Sequence, residues 1–468
     1  MEAQNDMAIS EVQLFIMMLT VALVIGCGIW SAKSVHSAEG YSLDGRNAGA
    51  GLVAGSIAGT CVGGGATVGT AQLASVIGMS AWWFTLGVGI SLILMAMFYA
   101  KPLRRTSLET ISQYLVLNYE DKAGTFVGVV SSVGIFFSAV ASTLPGIGIL
   151  SFIFNISSGE AALLLLVLVA LYGFLGGMKS AGVGGMLKMA IIWFSLFLAG
   201  FSAFQSVNTI PEAAVLLPDF PWYSLLGEGI GEALANLFSL IVGMICTQTY
   251  IQAIFSARDP HIASIGALVA ALIVIPVGLP CVAIGMYMHA AHPDVSALLV
   301  LPVYLLKYQP VVIGSIAMGG ILLSLISSIA GLSLGIGTII SHDLVPRFLP
   351  RLRGKESLLR TRLIVLSVVL LAAAVAIMNE NSQVLFWNYM SMALRGGGIF
   401  LPLTLAIFRP HGVSPRCAFL SMIFSTSVAV AASFVGSTVP PLFLGLGISF
   451  LFLAVGYMTH HAPNGMAT

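Results

Sequence analysis

The sequence predicts an all-α protein that crosses a lipid bilayer about thirteen times, and three observations carry that expectation. Of 468 residues, 58% are hydrophobic and 8% charged, with a mean hydropathy of +1.01. A soluble domain has roughly 25% charged residues. The apolar residues lie in continuous runs near the roughly 20 residues that a bilayer-crossing helix needs, whereas a membrane β-barrel shows alternating segments of about ten. The basic residues also partition between alternate loops, as they do in polytopic membrane proteins.

The runs fall at 14–31, 50–76, 81–100, 125–154, 161–175, 181–204, 230–255, 262–288, 311–340, 363–378, 385–408, 418–435 and 442–458. The first follows an acidic tail, which argues against a cleaved signal peptide. With the N-terminus outside, the cytoplasmic loops hold Lys33, Arg46, Lys101, Arg104, Arg105, Lys122, Lys179, Arg258, Arg347, Arg351, Arg353, Lys355, Arg360, Arg362, Arg409 and Arg416, which is 16 of the 19 basic residues. Lys307 alone lies outside. The expected topology is therefore N-terminus out and C-terminus in, within the cytoplasmic (plasma or inner) membrane. Leu103–Tyr119 reads as a surface segment. With 19 Lys+Arg against 18 Asp+Glu there is no bulk field for nucleic acid. The five cysteines are scattered, so neither a disulfide framework nor a zinc site is expected.

Two basic residues fall inside runs, Lys188 in the sixth and Arg395 in the eleventh, with no acid at similar depth. Each must face protein, water or a ligand. For Lys188 the alternative is extension along the lipid-facing surface to the interface. The second run contains Gly59-Thr-Cys-Val-Gly-Gly-Gly-Ala-Thr-Val-Gly69. Its glycines fit an unwound helix lining a cavity, and fit equally close helix packing through small residues. In the ninth run Ser324, Ser327 and Ser328 share one helical face. Their oxygens suit a hard cation, or bond back to their own helix. No charged ring or repeated filter suggests a channel, and no constellation of acids, histidines or nucleophiles suggests an enzyme.

Four motifs in order give a resemblance. They are Tyr41-Ser-Leu-Asp-Gly-Arg46, Tyr172-Gly-Phe-Leu-Gly-Gly-Met-Lys179, Gln248-Thr-Tyr-Ile-Gln252 with Ser256-Ala-Arg258, and Ile326-Ser-Ser-Ile-Ala330 through Thr338-Ile-Ile-Ser-His-Asp343. Together they resemble the sodium:solute symporter family over most of the chain. The resemblance implies a LeuT-like core of two inverted five-helix repeats, 50–204 and 230–408. One peripheral helix (14–31) stands before that core and two (418–458) after it, all in a single transporter domain. It also implies a Na⁺ site formed by backbone oxygens of Gly59, Val62 and Ser324 with the hydroxyls of Ser327 and Ser328. Solute would sit beside Cys61, Gly63, Gly64 and Gly65. The sequence departs from the family where Thr-Asp-x-x-Gln is usual: Gly184-Gly185-Met-Leu-Lys188 stands there instead.

The expected activity is Na⁺-coupled symport of a small organic solute by alternating access, with Na⁺ as coupling ion and no other cofactor. A carboxylate or amino acid is favoured because Arg395, beside Gly396-Gly-Gly398, offers a bidentate fork, the alternative being a gate residue capped by backbone carbonyls; Gln248 is a further binding candidate. Two alternatives stand beside this: H⁺ coupling with Lys188 in place of Na⁺, and a solute sensor that does not transport. The other partners expected are the bilayer and, at most, a loose homo-oligomer.

Overall fold

The computed structural model describes residues 9–33, 37–173, 177–211, 213–352, 357–435 and 439–461. Arg353 and Lys355 of the expected basic loop, and Phe174, Leu175 and Gly176 of the second motif, lie outside them. The described residues form helices joined by short links, with one isolated bridge between the backbones of Ala48 and Ala257.

The principal helices are α1 (Glu11–Ala32), α2 (Ala50–Cys61), α3 (Thr70–Ile77), α4 (Trp83–Leu94), α5 (Ile111–Tyr119), α6 (Asp121–Phe154), α7 (Ser158–Gly173), α8 (Gly177–Val207), α9 (Ile230–Ile245), α10 (Gln248–Ser256), α11 (Pro260–Ala291), α12 (Val300–Lys307), α13 (Val311–Ile339), α14 (Leu358–Met378), α15 (Val384–Phe408), α16 (Pro415–Val435) and α17 (Pro441–His461). Among the described residues, ten helical segments are long and apolar enough to cross a membrane, and the bent pair α9–α10 makes an eleventh. The expected thirteen is reached only by counting α7 and by dividing the run Gly65–Arg105, so length and apolarity do not fix that number.

Two helices are interrupted. The first break follows α2, where Val62 leaves helical geometry (φ −80°, ψ 75°) and a π-turn over Gly65–Gly69 leads into α3. The second was not foreseen: 230–255 reads as one run, yet α9 and α10 meet at 48° across Cys246 and Thr247. No Gly-rich or Pro signal marks that bend, and Thr247 turns its hydroxyl back onto the Gly243 carbonyl at 2.8 Å.

Around the first break the fold is tight. Helix α13 is buried along nearly its whole length and packs on α6, α8, α1 and α2, while α16 and α17 pair at the periphery. Helix α2 lies directly on α8: a Cβ on Gly59 would come 2.7 Å from the Gly185 Cα, and one on Gly185 would strike the Gly55 carbonyl. Backbone thus meets backbone, which only small residues permit. The three glycines of the break serve the same end. A Cβ on Gly63 would overlap Ser328, one on Gly64 would lie 2.8 Å from the Ala141 carbonyl, and one on Gly65 2.9 Å from Phe84. Unwinding and close packing, open alternatives from sequence, therefore hold together.

The segment read as surface is a correction. Helix α5 buries Ile111, Ser112, Tyr114, Leu115 and Tyr119, and Tyr119 donates to the Pro402 carbonyl at 2.9 Å. Its short amphipathic pattern lay below the length at which an apolar run is legible.

Gly185→Ala is expected to lower the unfolding midpoint, at the roughly 1–3 kcal/mol typical of overpacking. Gly185→Leu should prevent recovery of monodisperse protein. Gly26→Ala, with nothing within 4 Å of the added carbon, is the control that leaves the midpoint unchanged in thermal unfolding followed by size-exclusion chromatography.

Candidate cation and solute site

A helix that stops inside a membrane leaves its last carbonyls without intrahelical partners, and each needs a donor. At the end of α2 every one is satisfied. The Ala58 carbonyl accepts from Val62 N–H at 2.8 Å and that of Cys61 from Gly63 N–H at 2.9 Å. Ser328 donates its hydroxyl to the Thr60 carbonyl, and Ser324 to that of Val62. Ser327 Oγ reaches the Gly59 carbonyl at 3.1 Å. The remaining donor is Lys188: its ammonium binds the carbonyls of Gly59 and Val62 (2.8 Å to the latter) and Ser327 Oγ at 2.7 Å.

The structure therefore brings Gly59, Val62, Ser324, Ser327 and Ser328 together as expected, and adds Thr60, which sequence reasoning missed. It does not send Lys188 to the lipid interface; the side chain is fully buried. The ammonium stands where the oxygens expected for Na⁺ converge, in contact with three of them. As arranged, these oxygens coordinate an amine, and the donor set with Lys188 inside it does not fit Na⁺ as well. The serines bond across to α2 rather than only to their own helix; Ser327 also contacts the Ser324 carbonyl, at 3.3 Å.

Beside the cage is a closed cavity of about 20 Å³, room for roughly one water. Thr60, Cys61, Gly63 and Gly65 form one wall; Ser138, Ser142, Phe84, Tyr250, Asn388 and Met392 are among the others. Gly64 donates its N–H to Ser142 Oγ at 3.4 Å. At the break the N–H groups of both Gly63 and Gly64 thus have acceptors. Arg395 lies directly behind this cavity. Nη2 contacts Ser138 Oγ at 3.3 Å and Met392 Sδ at 3.0 Å, both from cavity-lining residues. Nε and Nη1, fully buried, have no acceptor among the described residues. A groove of about 260 Å³ between Phe201 and Pro280 is lined mainly by apolar residues.

The model of the sodium:solute symporter family matches residues 41–425. The chain belongs to this family. Membership makes it an integral multi-pass transport protein and implies Na⁺ as the family's coupling ion. Similar proteins include the human high affinity choline transporter 1, 26% identical over 332 residues, covering 65% of this chain and 57% of the human protein. The mouse counterpart is 25% identical over 413 residues, 82% of this chain and 71% of that protein. Among solved structures, a Na⁺-coupled sialic acid symporter in a substrate-bound outward-open state superposes with a TM-score of 0.76 at 16% identity, covering 96% of this chain and 98% of that one. The shared fold is LeuT-like.

Gln248 is not brought to the cavity of this family member. Its amide accepts from Ile111 N–H at 2.9 Å and donates to the Glu109 carbonyl at 2.8 Å, pinning α10 to α5 at one end of the bundle. Gln252 donates to the Ser42 carbonyl at 2.7 Å and to Thr338 Oγ1 at 3.0 Å. At that end Glu109 lies 3.0 Å from His342 Nδ1 and 3.7 Å from Arg46 Nη2. Asp343 accepts from Thr110 at 2.7 Å and Gln113 at 3.0 Å. The network joins the link before α2, α5, α10 and the end of α13, so it closes the bundle there.

Burial alone would raise the Glu109 carboxyl, but the His342 bond and charge, then Arg46, outweigh it and hold the group below its usual value. A carboxylate so depressed contributes stability above its unfolded pKa of about 4.3, lost as pH falls through the folded value. The unfolding midpoint of the wild type should therefore fall steeply below about pH 4.3. Glu109→Gln should start lower at pH 7 and show a flatter acid limb, in thermal melts across a pH series.

Proposed function

We propose that the chain is a secondary active transporter that carries a small carboxylate-bearing solute, an organic anion or an amino acid, in symport with a cation by alternating access. The observation that carries the solute class is the incomplete coordination of Arg395. A guanidinium has five N–H donors, and here two of its three nitrogens have no acceptor in a fully buried setting. An ion withdrawn from water without a counter-ion is costly by several kcal/mol. Such residues inside membranes mark ligand pathways. A carboxylate is the anion that fits the fork in two parallel bonds. Ser138 and Met392, which stand between Arg395 and the cavity, need only rotate aside to admit one.

The same charges speak against the choline named for the relatives. Choline is a fixed cation, recognised by aromatic faces. Phe84 and Tyr250 offer such faces here. Arg395 stands behind the space and Lys188 in the adjoining cage, however, and the carboxylates of the helices that line it, Asp121 of α6 and Glu232 of α9, sit in their first turns. The field has the sign that favours an anion. The cavity holds about one water, so solute must be admitted by a motion that opens it. Repeats 50–204 and 230–408 are the bodies proposed to rock, with 14–31 and 418–458 peripheral and the N-terminus outside. A sensor would share every contact described above, and solute accumulation separates the two.

Uptake into proteoliposomes, with radiolabelled short-chain carboxylates and amino acids as the panel, tests this reading. At least one panel member should accumulate, with competition from other carboxylates and none from choline. Arg395→Gln should weaken its apparent affinity about tenfold or more, as expected for losing a charge-assisted pair worth roughly 1.5–3 kcal/mol. Choline uptake that is indifferent to Arg395→Gln would overturn the proposal.

A further inference from the structure

We infer that Lys188 supplies, on a side chain, the cation that the family takes from solution at this site, so that Nζ occupies the place and Na⁺ does not bind there. The inference rests on the alternating-access reading above.

The first argument is stoichiometric. An ammonium has three N–H donors, and the cage offers Lys188 three acceptors: two carbonyls of α2 and one hydroxyl of α13. Nothing is left over on either side. The second is charge. The cage consists of neutral oxygens at the C-terminal end of α2, where the helix dipole favours one positive charge. No carboxylate is present to neutralise a second, and two cations in contact inside a medium of low polarity repel strongly. Na⁺ and the ammonium are therefore alternatives for one place.

The third argument is that the amine is built into position. Lys188 follows Gly185 by three residues, and Gly185 is the point of backbone contact between α8 and α2. The side chain accordingly projects from the place where the two helices are closest. It links α8 to α2 and α13 at once. The three bonds hold these elements together at the break, where a bound Na⁺ would otherwise do so.

The charge balance of the cage follows from its neighbours. Cys61, at the end of α2, and Tyr250, on α10, line the cavity beside it. Helix α13 offers only hydroxyls and carbonyls to the cage. The ionisable groups of the other helices packed on α8 are Glu11 and Cys27 on α1, Glu160 and Tyr172 on α7, and His261, Cys281, Tyr287 and His289 on α11. In the link before α2, Glu39, Tyr41, Asp44 and Arg46 lie beyond the helix start.

The test uses the purified full-length chain and Na⁺ itself as the probe, so it needs no solute. Binding of radiolabelled Na⁺ and the unfolding midpoint are measured in NaCl against KCl at equal ionic strength. The wild type should bind no Na⁺ dependent on Ser327 and show no Na⁺-specific rise. Lys188→Ala should gain a midpoint that rises with the logarithm of Na⁺ concentration, and Lys188→Ala with Ser327→Ala should lose that gain. Wild-type Na⁺ binding abolished by Ser327→Ala would overturn the inference, as would a folded Lys188→Ala that stays indifferent to Na⁺. Should Lys188→Ala not fold, Lys188→Ser takes its place and the wild-type arm still decides. Carboxylate uptake whose Na⁺ dependence is abolished by Ser327→Ala would overturn this inference while upholding the transporter. Absence of any uptake would fault the transporter reading alone.

Discussion

The architecture depends on the need to satisfy the carbonyl groups exposed where α2 stops in the middle of the protein. Water is the usual partner for such groups and is excluded here, so donors must come from neighbouring helices. Three serines of α13 and the ammonium of Lys188 meet that need, and in doing so fix the placement of α8 and α13 against the break. The glycines of α2 and α8 follow as a corollary, since the lysine reaches the carbonyls only if the two backbones touch.

A second constraint is the sign of the interior. Lys188 and Arg395 are buried together on either side of one small cavity, and their environments differ. The lysine has three acceptors for three donors, whereas the arginine has two nitrogens idle. The first arrangement is complete in itself and the second leaves donors open. That contrast underlies the recognition role proposed for Arg395. It rests on counting partners, because burial is the same for both.

Much of the fold was legible before any coordinates. Charge partition and apolar runs revealed a polytopic helical protein, and four short motifs pointed to the family later matched over 41–425. The serine face of α13 was visible because i, i+3, i+4 spacing survives in any straight helix. What escaped had weak local signatures. The bend at Cys246–Thr247 has no glycine or proline to announce it, and α5 is too short for its periodicity to register. Thr60 joined the cage through its carbonyl, which every residue has, so no side-chain pattern could single it out. The direction of Lys188 was open in sequence because α8 is apolar all round and no stripe marks its inner face; the close contact at Gly185, three residues earlier on the same face, decides it.

One link described above carries a mechanical consequence. Just before α2, Ala48 accepts from Arg258 N–H and donates to the Ser256 carbonyl, both at 3.0 Å, splicing the strand-like lead into α2 onto the exit from α10. The two interrupted helices, far apart in the chain, are thus hinged to a common axle. A torque applied to either half-helix is delivered to the other without passing through the side chains of the cage, so the two breaks turn in step.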